Sequence, residues 1–205
     1  MKKLFQFPAE FDYGLLLQAL KDYKKPRDKI RGLIRDKDII RVKKGLYVLG
    51  RDYNKPYNKL VLANLVYGPS YITGQTALAF WNMIPERVEL IISMTTKRKK
   101  QFETPVGKFS YLYCPKTAFS IGVQLEDAGD QKKILIASPE KALCDIAATQ
   151  THISTRSEMK EFLELMRLDF SVYKELDFPL LDEIKAGYHR QSIKLLFHCL
   201  KDSHV

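Results

Sequence analysis

The chain has 205 residues, of which 45% are hydrophobic and 28% charged, a balance that supplies packed cores and excludes a wholly disordered polymer. That length suits a small domain joined to a medium one, and the formal net charge of +10 favours anionic partners. No apolar run approaches the roughly 20 residues of a membrane span, and MKKLFQFPAEF has neither a signal-peptide core nor a cleavage site, so a soluble, cytoplasmic protein is expected.

Pro8 interrupts Lys3 to Phe11 and leaves a first helix there open. Asp12 then suits the N-cap of a helix that keeps Leu15, Leu16, Ala19, Leu20 and Tyr23 on one face. Lys24-Lys25-Pro26 makes a short corner into a second helix, with Pro26 at its first position. Ile30, Leu33 and Ile34 set the buried side of this second helix. Arg27, Arg31 and Arg35, spaced four apart, set the opposite side. Beyond it Ile40 and Val42 alternate with Arg41 and Lys43, Lys44-Gly45 offers a tight turn, and Leu46 to Leu49 returns as a strand. Two packed helices followed by a basic hairpin make the pattern of a winged helix-turn-helix domain over residues 1–50. In that pattern Arg27, Arg31 and Arg35 face a DNA groove, while Arg41, Lys43 and Lys44 reach backbone phosphates. A merely solvated basic face is the competing account of the same residues.

Gly50 to Pro56 is polar and turn-prone and marks the expected domain boundary. Lys59 to Tyr67 and Thr73 to Asn82 read as helices, the second with Ala77, Leu78 and Trp81 on one side. From Val88 the period falls to two, giving strands at Val88 to Met94, Lys108 to Tyr113 and Ile134 to Ala137, and another over Phe119 to Leu125. Thr104 to Gly107 is a turn and Glu126 to Lys132 a polar loop. Ser138, Pro139 and Glu140 open a helix that buries Ala142, Leu143 and Ile146. Helical periodicity returns at Met159, Phe162, Leu163 and Met166, over Leu180 to Gly187, and at Ile193, Leu196, Phe197 and Leu200. Residues 51–205 are therefore expected to form an α+β domain with a small sheet and a helical C-terminal region, and the chain as a whole an α+β fold.

No glycine-rich phosphate loop, H-E-x-x-H or G-x-S-x-G is present, so no catalytic class and no cofactor is indicated. Cys114, Cys144 and Cys199 are widely spaced, as are His152, His189, His198 and His204; the cysteines read as free core thiols and no metal site is indicated. Asp145 ahead of Glu158-Met159-Lys160 is a weak nuclease-like arrangement, set against by its strongly helical surroundings. The densest positive run, Lys97, Arg98, Lys99 and Lys100, forms a possible second basic surface. It suits either a phosphate backbone or an acidic protein partner, in which case the chain is an interaction module, or it is a solvated loop. Tyr67, Tyr71, Phe80 and Trp81 fit a core better than a base-stacking platform.

Several segments occur in a consistent order: Lys43-Lys44-Gly45-Leu46-Tyr47, Gly68-Pro69-Ser70-Tyr71-Ile72 with Ala77-Leu78 and Ile84-Pro85-Glu86, Thr95-Thr96-Lys97-Arg98, Phe102-Glu103-Thr104-Pro105-Val106-Gly107, and Ser138-Pro139-Glu140-Lys141-Ala142-Leu143-Cys144-Asp145. Together they resemble the AbiEi family, antitoxins and transcriptional regulators of type IV toxin–antitoxin systems in abortive infection, a form of phage defence. The resemblance implies a winged-helix domain that binds double-stranded DNA repeats in the promoter of its own operon. It further implies a C-terminal domain that counters a neighbouring nucleotidyltransferase-like toxin without an obligatory stable complex. The chain after Thr149 carries little of the family pattern.

Overall fold

Asp12 does two jobs at the start of the chain, ending strand β1 (Glu10–Asp12) and capping helix α1 (Tyr13–Ala19) through a side-chain oxygen that accepts the Leu15 amide at 2.8 Å. The computed structural model describes residues 2–85, 88–168 and 175–203. Ahead of β1 lies a five-residue 3₁₀ helix, Lys2–Gln6, so the segment left open by Pro8 holds a short 3₁₀ helix and the start of a strand, with no α-helix. Helix α1 stops at Ala19, short of the expected length: Leu16 and Leu20 are buried, but Leu15 and Tyr23 face solvent. Helix α2 (Pro26–Arg35) starts on Pro26 as predicted and buries Ile30 and Leu33.

Strands β2 (Ile39–Lys43) and β3 (Leu46–Leu49) form the expected hairpin around Lys44-Gly45, and Gly45 adopts the positive φ that such a turn requires. β1 joins on the far side of β3 to give the antiparallel order β1-β3-β2. All four residues of β3 are buried because its two faces serve two cores. Tyr47 and Leu49 pack with Phe11, Leu16, Ile30, Leu33 and Ile39, whereas Leu46 and Val48, with Val42 of β2, pack into the larger core of the rest of the chain. The hairpin is thus a wall shared by the two units. Tyr53, inside the polar stretch expected to be the domain boundary, belongs to the first core and donates its hydroxyl to Asp38 at 3.0 Å.

Further contacts fix one unit on the other. The carboxylate of Glu10, almost wholly buried, pairs with Lys132 at 2.9 Å and accepts the Asn58 amide at 2.5 Å. The Lys55 amine donates to the carbonyls of Phe5 and Phe7.

The second unit is built on a six-stranded mixed sheet. Its strands are β4 (Ser70–Ile72), β5 (Leu90–Thr95), β6 (Lys100–Thr104), β7 (Gly107–Tyr113), β8 (Val123–Asp127) and β9 (Lys133–Ala137), in the order β6-β7-β5-β4-β9-β8. β5–β7 and β4–β9 pair parallel, and the remaining neighbours antiparallel. Successive residues point to opposite faces. Tyr111 reaches helix α3 (Lys59–Val66), donating its hydroxyl to the Ala63 carbonyl at 2.6 Å. Leu112 turns the other way and lines a cavity with Ile146 of helix α6 (Pro139–Thr149). Helix α4 (Gly74–Phe80) packs against α6 and β5, and α5 (Lys116–Phe119), α7 (Arg156–Leu165), α8 (Phe178–Tyr188) and α9 (Gln191–Ser203) complete the helical part. The mixed α+β class is as expected.

Three strands differ from the sequence reading. β4 and β6 are additional, and the strand placed at Phe119 starts only at Val123, because Lys116–Phe119 is helical. Glu86 of the Ile84-Pro85-Glu86 motif and His204 lie outside the described residues. No helix among the described residues is long and apolar enough to cross a membrane.

Candidate nucleic-acid interface

On α2 the 3.6-residue period separates the two faces cleanly. Ile30 and Leu33 are at most 5% exposed, while Arg27, Arg31 and Arg35 all lie on the solvent side. Arg31 sits 3.5 Å from Asp28, and Arg35 2.9 Å from Asp36. Pairs this exposed are held weakly and are screened by salt, so neither acid commits its arginine to the protein. The Lys29 amine lies over the Tyr23 ring at 6.0 Å.

The six residues assigned to DNA separate into two kinds. Arg41 and Lys44 are exposed on the hairpin, as expected of phosphate contacts. Lys43 instead turns inward: its amine donates to the Val66 carbonyl at 2.5 Å, at the C-terminal end of α3 where helix carbonyls lack internal partners. Burial first, then the ammonium groups of Lys100 and Lys97, push the Lys43 pKa down. The hairpin and the second basic run, 54 residues apart in sequence, both reach the segment that ends α3, Lys43 at the Val66 carbonyl and Lys97 at the Gly68 carbonyl.

The run itself bridges β5 and β6, with Lys97, Arg98, Lys99 and Lys100 all exposed. Lys97 donates to the Gly68 carbonyl at 2.5 Å and lies over the Tyr67 ring at 5.4 Å. Lys100 approaches the same ring at 5.8 Å and Phe102 at 4.9 Å. Tyr67 also donates its hydroxyl to the Arg98 carbonyl at 3.4 Å. Cations over aromatic faces are stabilised by the ring quadrupole, so the loop is held in shape.

A second polar constellation was hidden in the Ser138-Pro139-Glu140-Lys141 motif. Lys141 and Asp145 stand one turn apart on α6, both side chains fully buried, with Lys141 Nζ 2.9 Å from Asp145 Oδ1. Tyr71 and Thr73 donate to Oδ2 at 2.9 and 2.6 Å, and Tyr188 to Oδ1 at 2.6 Å. The carboxylate thus accepts from four donors brought by α6, α8, β4 and the residue that follows β4. Lys141 also donates to the Tyr188 oxygen at 3.3 Å and lies over that ring at 4.3 Å. Burial and the charge of Asp145 push the hydroxyl pKa values of Tyr71 and Tyr188 far up, which keeps both as donors. At the start of the same helix Ser138 caps the Lys141 amide, and Glu140 accepts the Ser138 hydroxyl and the Asp177 amide. Lysine and aspartate four apart among alanine, leucine and cysteine were the only signal for this site in the sequence.

The structure does not bring Asp145, Glu158 and Lys160 together as a nuclease site. Asp145 is enclosed by its donors, and Glu158 is the returning member of a capping box at the start of α7, accepting the Ser154 and Thr155 amides at 2.7 and 3.0 Å. Among the described residues no three His, Cys, Asp or Glu side chains are grouped to hold a metal ion. The three cysteines are buried and none is in a disulfide, as read from their spacing. Tyr71 is core, and Tyr67 is half-buried beside the basic loop.

No protein-family model matches the chain and no curated protein matches it. Among solved structures, the RV2827C protein from Mycobacterium tuberculosis superposes over 99% of this chain and 75% of its own length, with a TM-score of 0.68 at 15% identity, which is a likeness of fold. JHP933 from Helicobacter pylori covers 71% of this chain and 88% of its own, with a TM-score of 0.36 at 12% identity.

Proposed function

We propose that the chain is a DNA-binding transcriptional autorepressor and antitoxin of the AbiEi kind, with a winged helix-turn-helix unit at its N-terminus and a second domain that counters a nucleotidyltransferase-like toxin. The observation that carries the DNA half is the solvent face of α2, where three arginines four residues apart stand above a buried Ile30–Leu33 seam and beside a basic hairpin. In this account α2 enters the major groove, Arg27, Arg31 and Arg35 face base edges and phosphates, and Arg41 and Lys44 hold the flanking backbone. Repression follows from occupancy of the promoter. The antitoxin half rests on the ordered motifs that resemble the family, which lie mostly in the second unit.

The experiment has two arms. The upstream promoter is fused to a reporter with and without the protein, and the neighbouring gene is expressed with and without it. Lower reporter output and restored growth are expected. An unrepressed promoter would remove the regulator, and growth arrest that the protein leaves untouched would remove the antitoxin.

A further inference from the structure

The exposed cations of the hairpin and of the 97–100 loop belong to different units, yet Lys43 joins them. It leaves β2 and reaches the Val66 carbonyl, and the Lys97 amine rests on the carbonyl of Gly68, two residues further along. Among the described residues no carboxylate pairs with Arg41, Lys43, Lys44 or any of residues 97–100, whereas Arg31, Arg35, Lys108, Lys132, Lys133 and Lys141 each have one. Like charges this close repel, and here main-chain carbonyls and the Tyr67 and Phe102 rings hold them in place. A lysine amine has three donors, so Lys43 and Lys97 each keep two after their carbonyl bonds. The shared hydrophobic wall at Val42, Leu46 and Val48 and the Glu10–Lys132 pair fix the two basic segments relative to each other.

We infer that the hairpin and the 97–100 loop form one face, continuous through Lys43, that tracks the phosphate backbone of duplex DNA beyond the stretch read by α2. The second unit then takes part in operator binding directly, adding contacts that are electrostatic and independent of base sequence. This rests on the DNA-binding reading above. An acidic protein partner is the competing occupant of the same loop.

The test uses the full-length protein on promoter duplex, with affinity measured across a salt series and the protected segment mapped by footprinting. Two variants are compared with the parent, Arg98→Ala/Lys99→Ala, which leaves the side-chain contacts of Lys97 and Lys100 intact, and Lys97→Ala/Lys100→Ala. Each lost phosphate contact lowers the log–log salt slope by about 0.9, so both variants are expected to flatten it by one to two units and to shorten protection at one end. A parent that binds, with both variants keeping its slope and footprint, would overturn the inference and leave the DNA-binding reading standing. The same result with loss of polyglutamate binding would assign the face to an acidic protein. A parent that does not bind the promoter would overturn both readings.

Discussion

The protein holds its cations in two opposite ways. Lys141 is sealed inside the second unit with a carboxylate, two tyrosine hydroxyls and a threonine hydroxyl around the pair, whereas the arginines of α2 and the lysines of the 97–100 loop stand in solvent, where exposed carboxylates, a main-chain carbonyl and aromatic rings are the partners found. A charge brought indoors must be neutralised and hydrogen-bonded, because the desolvation of each ion costs several kcal/mol. A charge left outdoors costs nothing to keep and is free to meet an anion. The buried cation therefore specifies packing, and the exposed ones are those on which the proposed DNA binding rests.

Breaking the buried pair is the most drastic way to probe this contrast. Asp145→Ala leaves the Lys141 ammonium without its counter-ion and takes the carboxylate acceptor from the Tyr71, Thr73 and Tyr188 hydroxyls, a loss of about 3–5 kcal/mol. For a chain of this length the midpoint of thermal unfolding should fall by roughly 10 °C. A double change, Lys141→Met with Asp145→Leu, should recover much of that loss because no charge is left unpaired. A single variant as stable as the parent would show that the network contributes nothing.

The next effect sharpens the boundary between the units. At Gly50 an added Cβ would lie 2.0 Å from the Lys37 carbonyl oxygen, and the Gly50 amide donates to Asp38 at 2.7 Å. Gly50→Ala should cost about 2 kcal/mol, within the range of overpacking. Since the hairpin has one face in each core, the loss should appear as one transition at lower temperature. Two separated transitions would show that the units melt independently.

The smallest effect concerns pH. Burial, and then the hydrogen bond to Asp38, push the Tyr53 pKa from the usual 10 up to about 12. A pKa raised by folding gives stability that is fully present below pH 10 and is lost as pH climbs through 12. Tyr53→Phe should be less sensitive than the parent between those limits, as read from urea unfolding at stepped pH. Equal alkaline losses would rule out Tyr53 as their source.

What was legible in the sequence follows from where each interaction is decided. The two faces of α2, the Lys44-Gly45 turn and the Ser138 cap depend on residues within a few positions of one another, and local period or capping chemistry exposes them. β4 escaped because three residues are too short to show a period, and β6 because KQFET is a mostly polar edge strand. Lys141 and Asp145 resemble an ordinary surface pair, and only residues 43 to 74 positions away turn them into a buried site. Lys43 was placed at a phosphate for the same kind of reason: the Val66 carbonyl that captures it lies 23 residues on. Leu46 to Leu49, four apolar residues in a row, did announce a strand, but not that its two faces belong to different cores.

The central claim, that the exposed face of α2 is there to hold DNA, is tested most directly by a salt titration of promoter binding. The parent is compared with Arg27→Ala/Arg31→Ala/Arg35→Ala, and both are first shown to unfold at the same temperature. The account predicts unchanged stability, an affinity lowered at least tenfold, and a log–log slope reduced by about 0.9 for every arginine that touches a phosphate. Equal affinity and equal slope for the two proteins would contradict it.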